Sequence, residues 1–454
     1  MGPTGQRLVN RFAGYILIVI TLLPGYATAE TTWSKTLSLS ETYIDRNNAG
    51  NKDSGYITRI APGIGIAMQR SKINLSLNYS LGLVANSGFD SNNNNRVDNS
   101  LNFSSTIQHD LNRWSSSVNA RVSRSNVSAD GLQIVDGISA SDNTRELRSF
   151  GASTNYRGKL GEHVNYQTSL GADVAAYKGQ PSSDGTNLNL SLQNSRSLNK
   201  LGWSAGLSSQ KYNSQGDSQQ VDSTQLGLSY QINNKLSSFA SASQAETSNQ
   251  GLNDPSYLIG LSWLPTRNTS LRAGIGERGD SSNYSLDATT RNKRLSLSAN
   301  YSEDITNTRA LVFDTEGLDN GLLPTSLSIS IVPVLLKRGT ITAKLSGKRH
   351  DLSLSVFNQE TSSDLKQTVD RSDGVRFSAG RTLSKASSVQ FQMSQTSSKS
   401  TLSSTVDSVS LVYQRQQSAR VNYGATLSNT RQSSNDNANE YEQTSIGANM
   451  TVIF

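Results

Sequence analysis

The chain has 454 residues, a formal net charge of +7 and no cysteine, which excludes a disulfide framework and any thiolate metal site. Only 34% of its residues are hydrophobic, too few for one large packed core, yet its regular patterning excludes a disordered chain. The positive charge is not accompanied by aromatic–basic clusters, so the composition disfavours nucleic acid as a partner.

The first 29 residues are typical of a secretory signal peptide. Arg7 and Arg11 form a basic segment, residues 15–23 are a short apolar core, and residues 27–29 (Ala-Thr-Ala) form a small-residue cleavage site. The apolar core is shorter than the ~20 residues that a membrane helix needs. The alternative, an uncleaved anchor, is disfavoured by the position of the cleavage site. We therefore expect a mature chain of residues 30–454 that forms a single domain.

Apolar and polar residues alternate through the rest of the chain, most clearly over 73–83, where every second residue is apolar. A period of two places the two kinds of residue on opposite faces of a β-strand. The pattern recurs at 101–107, 114–122, 164–174, 188–192, 201–207, 226–232, 257–263, 295–301, 341–345, 352–356, 389–393, 421–427 and 446–454. No comparable stretch shows a 3.6-residue period, so the chain is predicted to be all-β, with one strand face towards lipid and the other towards water.

The connections between the predicted strands alternate in length. Long polar segments such as 86–96, 123–143 and 429–440 are separated by ten short turns, and short periplasmic turns opposite longer extracellular loops are typical of outer-membrane barrels. The short turns lie near 69–72, 109–113, 157–163, 196–200, 233–235, 265–268, 291–294, 347–351, 384–386 and 414–418. Ten short turns and eleven long loops predict a transmembrane, antiparallel, up-and-down β-barrel of about 22 strands (range 18–24), with both termini in the periplasm.

Charge and tryptophan positions support this orientation. The ten short turns contain 16 Lys or Arg residues and three acidic residues, whereas the remainder of the mature chain leans acidic. Trp114, Trp203 and Trp263 lie within a few residues of short turns, and Trp33 opens the first strand. Because indole rings favour membrane interfaces, we expect these four residues to form a periplasmic aromatic girdle. The alternative, tryptophans scattered in a core, predicts no such clustering.

Residues 303–338 are the least regular part of the predicted barrel. The segment 327–336 is apolar but interrupted by Pro333, and proline disfavours a central strand because it cannot donate a ladder hydrogen bond. The pattern allows two interpretations, an extra hairpin or a loop that folds into the lumen.

The sequence does not group residues as an enzyme site would, with a nucleophile, a base and an orienting acid together. Asp370 and Asp373, in a predicted external loop, are typical of solvated charges, and residues 90–94 lack the glycine and the closing glutamate of a calcium loop. The three histidines fall at turns of separate predicted hairpins: His109, His163 and His350. We therefore expect no enzymatic activity, no cofactor and no metal ion.

Strand patterning begins by Leu37, a few residues after the predicted cleavage site. A receptor that plugs its own lumen would need a globular domain before the barrel. The sequence therefore disfavours an energised siderophore-type receptor.

The end of the chain alternates apolar residues at Ile446, Ala448, Met450 and Val452 and closes on the aromatic Phe454. This segment resembles the C-terminal signal by which outer-membrane barrels are recognised by their assembly machinery. The resemblance implies the cell outer membrane as the location. It also implies the barrel assembly machinery as a partner, and a barrel in this membrane meets its lipids and lipopolysaccharide.

Three motifs lie in the first fifth of the chain, at 39–45 (LSETYID), 60–66 (IAPGIGI) and 75–79 (LSLNY). They are similar to the outer-membrane barrel family associated with exosortase (PEP-CTERM) and exopolysaccharide gene clusters. The family often has Asn after the aspartate of the first motif, where this chain has Arg46. The resemblance implies a role in exopolysaccharide or surface-protein export, with polysaccharide export components as partners, and it supplies no catalytic residues.

Three functions remain open from the sequence. The first is a non-enzymatic barrel for exopolysaccharide or surface-protein export, whose lumen of Ser, Asn, Gln and Thr could hydrogen-bond sugars. The second is a general diffusion porin, because barrels of about 16–18 strands already leave an aqueous channel. The third is a surface-binding or structural barrel that uses its long polar loops.

Overall fold

The computed structural model describes residues 31–88, 95–110, 113–126, 144–179, 181–194, 200–214, 217–248, 255–307, 333–362, 369–399, 403–435 and 440–454. The predicted signal peptide and residues 90–94 lie outside the described residues. Among those described, no helix is both long and apolar enough to cross a membrane. The strands are β1 (Thr31–Asn48), β2 (Asn51–Gln69), β3 (Ile73–Ser87), β4 (Arg96–Asp110), β5 (Trp114–Asn126), β6 (Thr144–Leu160), β7 (Val164–Tyr177), β8 (Ser182–Asn194), β9 (Leu201–Ser214), β10 (Asp217–Asn233), β11 (Leu236–Thr247), β12 (Ser256–Thr266), β13 (Thr269–Arg278), β14 (Ser281–Arg291), β15 (Leu295–Asn307), β16 (Pro333–Ser346), β17 (His350–Ser362), β18 (Val369–Ser384), β19 (Ser387–Lys399), β20 (Ser403–Gln416), β21 (Val421–Ser434) and β22 (Tyr441–Ile453).

The 22 strands form one closed antiparallel sheet. Each strand pairs with its neighbours in the chain, and β1 also pairs with β22. Beyond the end of β22, the backbone N–H of Phe454 donates to the carbonyl oxygen of Lys35 at 2.8 Å. Closure leaves no unpaired sheet edge, which a barrel in lipid requires because no water is present there to satisfy the backbone. The predicted 22-stranded up-and-down barrel is confirmed.

Ten connections lie at one end of the barrel, here called the turn end. They run from two residues (234–235) to six (195–200), and each coincides with one of the ten predicted short turns. In outer-membrane barrels the shorter turns face the periplasm, so we expect the turn end to lie on the periplasmic side. The prediction of ten short turns is therefore confirmed in position.

The other eleven connections lie at the opposite end, here called the loop end, and run from two residues to the 25 of segment 308–332. Not all of them are long: the β1–β2 connection is only 49–50, where Ala49 and Gly50 both have positive φ, as a tight two-residue hairpin turn requires. The strands continue into polar residues that the sequence assigned to loops, such as 429–434 of β21. These residues remain paired although they lie beyond the apolar belt.

The register defines the outward and the inward face of the barrel wall, because side chains of ladder partners point to the same side of a sheet. Ala299, Ile341, Val356 and Val375 are successive partners across β15 to β18 and belong to an exposed apolar surface. This outward surface continues round the barrel as a belt of exposed Leu, Ile, Val, Tyr and Trp side chains. An exposed apolar belt of this kind matches the hydrocarbon of a bilayer.

Hydrophobic packing between side chains is local, as expected for a barrel with a polar interior. The described residues contain two small clusters, one on the inward face and one on the outward face of the first strands. The inward cluster consists of Ile44, Ile57 and Val84, and the outward cluster is built on Leu75, Phe103 and Ala120.

Pro333 is the first residue of β16 and pairs with Asn307, the last residue of β15. A proline at the start of a strand is compatible with pairing because the missing N–H lies at the end of the ladder. Both ends of the irregular segment 303–338 therefore belong to barrel strands. Residues 308–332, on which the hairpin and lumen-loop interpretations depend, lie outside the described residues.

Pro62, within the second N-terminal motif, lies in the middle of β2. It pairs with Leu37 of β1, but the ladder with β3 is interrupted between Ile60 and Gly63. Proline has no N–H to donate, which explains why the ladder is interrupted on one side only.

Candidate functional site

The candidate functional site is the lumen wall, which is lined mainly by Ser, Thr, Asn and Gln. Small polar residues on this face are direct ladder partners, whose Cβ atoms lie about 4.5–5.5 Å apart, so two short hydroxyl side chains reach each other. Hydroxyl pairs occur at Ser38–Thr451 (2.9 Å), Ser117–Ser153 (2.7 Å), Ser208–Ser223 (2.7 Å), Thr342–Ser355 (3.0 Å), Ser394–Ser408 (2.7 Å) and Ser428–Ser445 (2.6 Å). Each hydroxyl retains further hydrogen-bonding capacity towards the lumen.

Access to this wall differs between the two ends. Near the turn end, lumen-facing residues such as Gln414 and Asn449 are exposed. Near the loop end, many lumen-facing polar side chains are buried: Ser183 and Ser372 are 0% exposed and Gln219 is 2% exposed. The same applies to Thr42, Thr247, Gln359, Thr361, Thr396, Ser404, Thr430, Gln432 and Gln443. Water therefore reaches the wall near the turn end, whereas these side chains near the loop end are shielded from it.

Fixed charges of both signs lie on the lumen wall. Arg272 is the ladder partner of Asp287, and its guanidinium lies 4.1 Å from the centre of the Phe239 ring. The Phe239 ring lies against the backbone at Gly260, where an added Cβ would stand 2.5 Å from Phe239 Cζ. Nearer the loop end, Arg46 pairs with Asp53 at 3.2 Å. These contacts hold charged and aromatic groups against the wall.

All four tryptophans project from the outward face near the turn end. Trp33, Trp114 and Trp263 are exposed and Trp203 is half-buried. Trp114 Nε1 donates to Thr154 Oγ1 at 2.8 Å, and the centre of the Trp114 ring lies 4.3 Å from that of the His109 ring, with the two planes tilted by 34°. The structure thus places all four rings on the turn-end side of the apolar belt. Their role as a periplasmic girdle stays a prediction.

A group of outward-facing tyrosines, on β1, β2, β12, β14 and β15, lies at the other edge of the apolar belt. On strand β12, Tyr257 and Trp263 flank the exposed Ile259 and Leu261, one at each edge of the apolar belt. The tyrosines on the loop-end side of the belt are Tyr43, Tyr56, Tyr257, Tyr284 and Tyr301. These tyrosines were not predicted from the sequence, although the alternations at 257–263 and 295–301 each have a tyrosine at their loop side.

The residues of the predicted assembly signal share the outward face of β22. Ile446 faces Tyr43 of β1 and Leu427 of β21, and Ala448, Met450 and Val452 follow on the same side. Phe454 is 69% exposed at the turn end. The aromatic side chain is therefore accessible, while its backbone helps to close the barrel. Recognition of this segment by the assembly machinery stays a prediction.

Deleting Phe454 is expected to reduce the folded barrel in the membrane to a small fraction of the wild-type amount. The deletion removes both the terminal aromatic and the hydrogen bond to Lys35. Folded barrel is measured by the mobility difference between heated and unheated samples in gel electrophoresis of membrane fractions. Phe454→Tyr is the matched control and should assemble normally; equal amounts of folded barrel for the deletion variant would contradict the assignment.

The three histidines lie at the turn end on separate hairpins, in β4, in the β6–β7 turn and at the start of β17. His109 Nε2 lies 2.9 Å from Ser116 Oγ. Asp370 and Asp373 lie within β18 and not in a loop, three residues apart, and therefore on opposite faces of the strand. In the described part of the chain, no three His, Asp or Glu side chains are arranged to hold a metal ion.

The closed ladder, the apolar belt and the polar lumen define a barrel of the outer-membrane type. No protein-family model and no curated protein matches the chain. The siderophore receptor PirA from Acinetobacter baumannii is similar with a TM-score of 0.52 and 9% identity, over 94% of this chain and 81% of that chain.

A mutant of the ferric enterobactin receptor PfeA from Pseudomonas aeruginosa, in complex with enterobactin, gives a TM-score of 0.51. The sequences are 11% identical over 94% of this chain and 82% of that chain. At these identities the likeness concerns the fold, a 22-stranded closed barrel, and assigns no ligand to this chain.

Proposed function

We propose that this protein is a non-enzymatic barrel of the outer membrane that serves the export of exopolysaccharide or of a surface protein. The observation that carries the proposal is the lumen wall, in which hydroxyl and amide groups predominate and hydroxyl pairs join neighbouring strands at six places. Such a wall can exchange hydrogen bonds with a hydroxyl-rich polymer as the polymer moves. The N-terminal motifs similar to the exosortase-associated family support the same role.

The outward face supports placement in the outer membrane. An apolar belt between tryptophans at one edge and tyrosines at the other is the arrangement that transmembrane barrels use at their two interfaces. The basic turn end would then face the periplasm, where polysaccharide export components would dock. Lipids and lipopolysaccharide would contact the belt and its rim.

Export is tested by narrowing the lumen without changing the outer surface. Ser394 and Ser408 are ladder partners on neighbouring strands of the lumen wall, with their hydroxyl oxygens 2.7 Å apart. Replacing both by tryptophan should reduce surface polysaccharide in the native host. Val409 is exposed on the outward face, so Val409→Trp is the matched control and should leave export unchanged. Unchanged export with both variants, at equal amounts of folded barrel, would reject the proposal.

A general diffusion porin is the second candidate, because it too needs a polar wall. Burial of the wall near the loop end favours a barrel that is not permanently open. We expect the full chain in planar bilayers to show little steady conductance compared with a general porin. A large conductance at all voltages would instead assign the porin function.

A third candidate, surface binding through the extracellular connections, would be indicated by loss of binding without loss of export when those connections are shortened.

A further inference from the structure

Arg371 and Lys399 are direct ladder partners on the outward face of β18 and β19, at the loop end. Both side chains are exposed. Like charges directly opposite each other destabilise a sheet. Among the described strands, this is the one ladder pair in which two Lys or Arg residues face each other. An anion bound between the two cations would remove the repulsion.

The neighbouring acidic groups leave this pair with an excess of positive charge. Arg371 Nε lies 3.7 Å from Asp373 Oδ1. Glu360, the other ladder partner of Arg371, lies 3.9 Å from the Nζ of Lys337 and is shared with it. Lys399 faces Ser403 on its other side. The two cations therefore face one nearby carboxylate and one that a third cation already neutralises.

Arg431, on the outward face of β21, shows the contrasting arrangement. Its ladder partners are Asp407 on one side and Glu442 on the other. This arginine lies between two carboxylates of its own sheet and has no excess of positive charge around it.

A groove of about 440 Å³ lies beside the basic pair. Besides the two cations and the neighbouring carboxylate of Asp373, its lining includes Ser397, Thr405, Ser433 and Asn435. Ser397 Oγ and Thr405 Oγ1 lie 3.1 Å apart. Two cations next to several hydroxyl groups and an amide form a surface suited to a phosphorylated sugar, since phosphate accepts from Arg and Lys, and sugar hydroxyls exchange hydrogen bonds with Ser, Thr and Asn.

An apolar surface continues from the groove towards the turn end on the same strands. Val375, Met393 and Val409 are exposed on the outward face. Val375 is four residues from Arg371, which at about 3.3 Å per residue is roughly 13 Å along the strand. The site therefore combines a polar groove at the rim of the barrel with an adjacent apolar surface that acyl chains can contact.

We propose that Arg371 and Lys399 bind a phosphate of a phosphorylated glycolipid of the outer leaflet, of the lipopolysaccharide type. The sugars occupy the groove and the acyl chains lie on the apolar belt beneath. The proposal concerns the outer surface and does not depend on what the lumen carries.

The test uses the full barrel in an uncharged detergent, titrated with diphosphorylated lipid A, with dephosphorylated lipid A and with inorganic phosphate. Diphosphorylated lipid A should bind about ten-fold or more tightly than its dephosphorylated form, since hydrogen bonds between charged groups contribute at least this factor. Equal affinities for the two lipids would overturn the proposal. Inorganic phosphate binding as tightly as lipid A would overturn the glycolipid assignment.

Substitutions test whether lipid A binds at Arg371 and Lys399. The double variant Arg371→Gln with Lys399→Gln should lower the affinity for lipid A by about ten-fold or more. Arg431→Gln is the matched control and should leave the affinity unchanged. The heated and unheated gel mobilities confirm that each variant is folded. An equal loss for the control, or no loss for the double variant, would show that lipid A binds elsewhere.

Discussion

Replacing Ile341 by arginine is expected to destabilise the folded barrel by about 2–4 kcal/mol, the cost of a basic side chain near the bilayer midplane on the lipid face of a barrel. Ile341 is 59% exposed on the outward face, between Ala299 and Val356 on the neighbouring strands. The free energy of unfolding is measured in lipid vesicles with urea, followed by the intrinsic fluorescence of the tryptophans.

Thr342→Arg is the matched control, because the next residue of the same strand faces the lumen. Thr342 lies 3.0 Å from Ser355 across the wall, so its replacement should cost about 1 kcal/mol, the contribution of one hydrogen bond. If the two variants lost equal stability, the assignment of faces derived from the register would be wrong.

Replacing Gly260 by valine is expected to destabilise the barrel by about 3 kcal/mol, at the upper end of the usual cost of overpacking. A Cβ at Gly260 would collide with the carbonyl oxygen of Ala273 and would stand 2.7 Å from the Cα of Gly274. These are backbone atoms of the paired strand and cannot move independently. The variant should also displace Phe239 from its position against Gly260.

Gly206→Val is the control for this prediction. Gly206 also faces the lumen, but an added Cβ would meet its nearest neighbour, the Cβ of Gln225, at 3.8 Å, which is ordinary contact. Urea unfolding in lipid vesicles should place this variant within about 1 kcal/mol of the wild type, since β-propensity scales span about this range. A similar loss in both variants would mean that valine itself, and not the close approach at Gly260, is responsible.

The alternation of the sequence was sufficient to predict strands, faces and turn positions. A strand between lipid and water must change polarity at every residue, so the pattern within the belt is strong, as at 257–263 in β12. Beyond the belt both faces meet polar surroundings and the alternation fades. For this reason the sequence assigned 429–434 to a loop, whereas the structure pairs these residues within β21.

Both the basic pair on the outer surface and the lumen wall depend on contacts between strands, which the sequence of a single strand cannot reveal. The opposition of Arg371 and Lys399 arises because β18 and β19 pair in one particular register, and a shift of one residue would move one of the two side chains to the lumen. The hydroxyl pairs of the wall, such as Ser428 with Ser445, depend on register in the same way. The burial of Gln219 and Ser372 depends on the closed barrel around them.

The sequence by itself predicted a barrel of about 22 strands, within a range of 18–24, and the positions of its short turns. It could do so because lipid and water impose opposite polarities on successive residues of each strand. The tertiary structure alone decided which side chains meet across strands. It joined Phe454 to Lys35, and it set two cations face to face above the apolar belt. These contacts are fixed by register and closure, which are properties of the whole sheet.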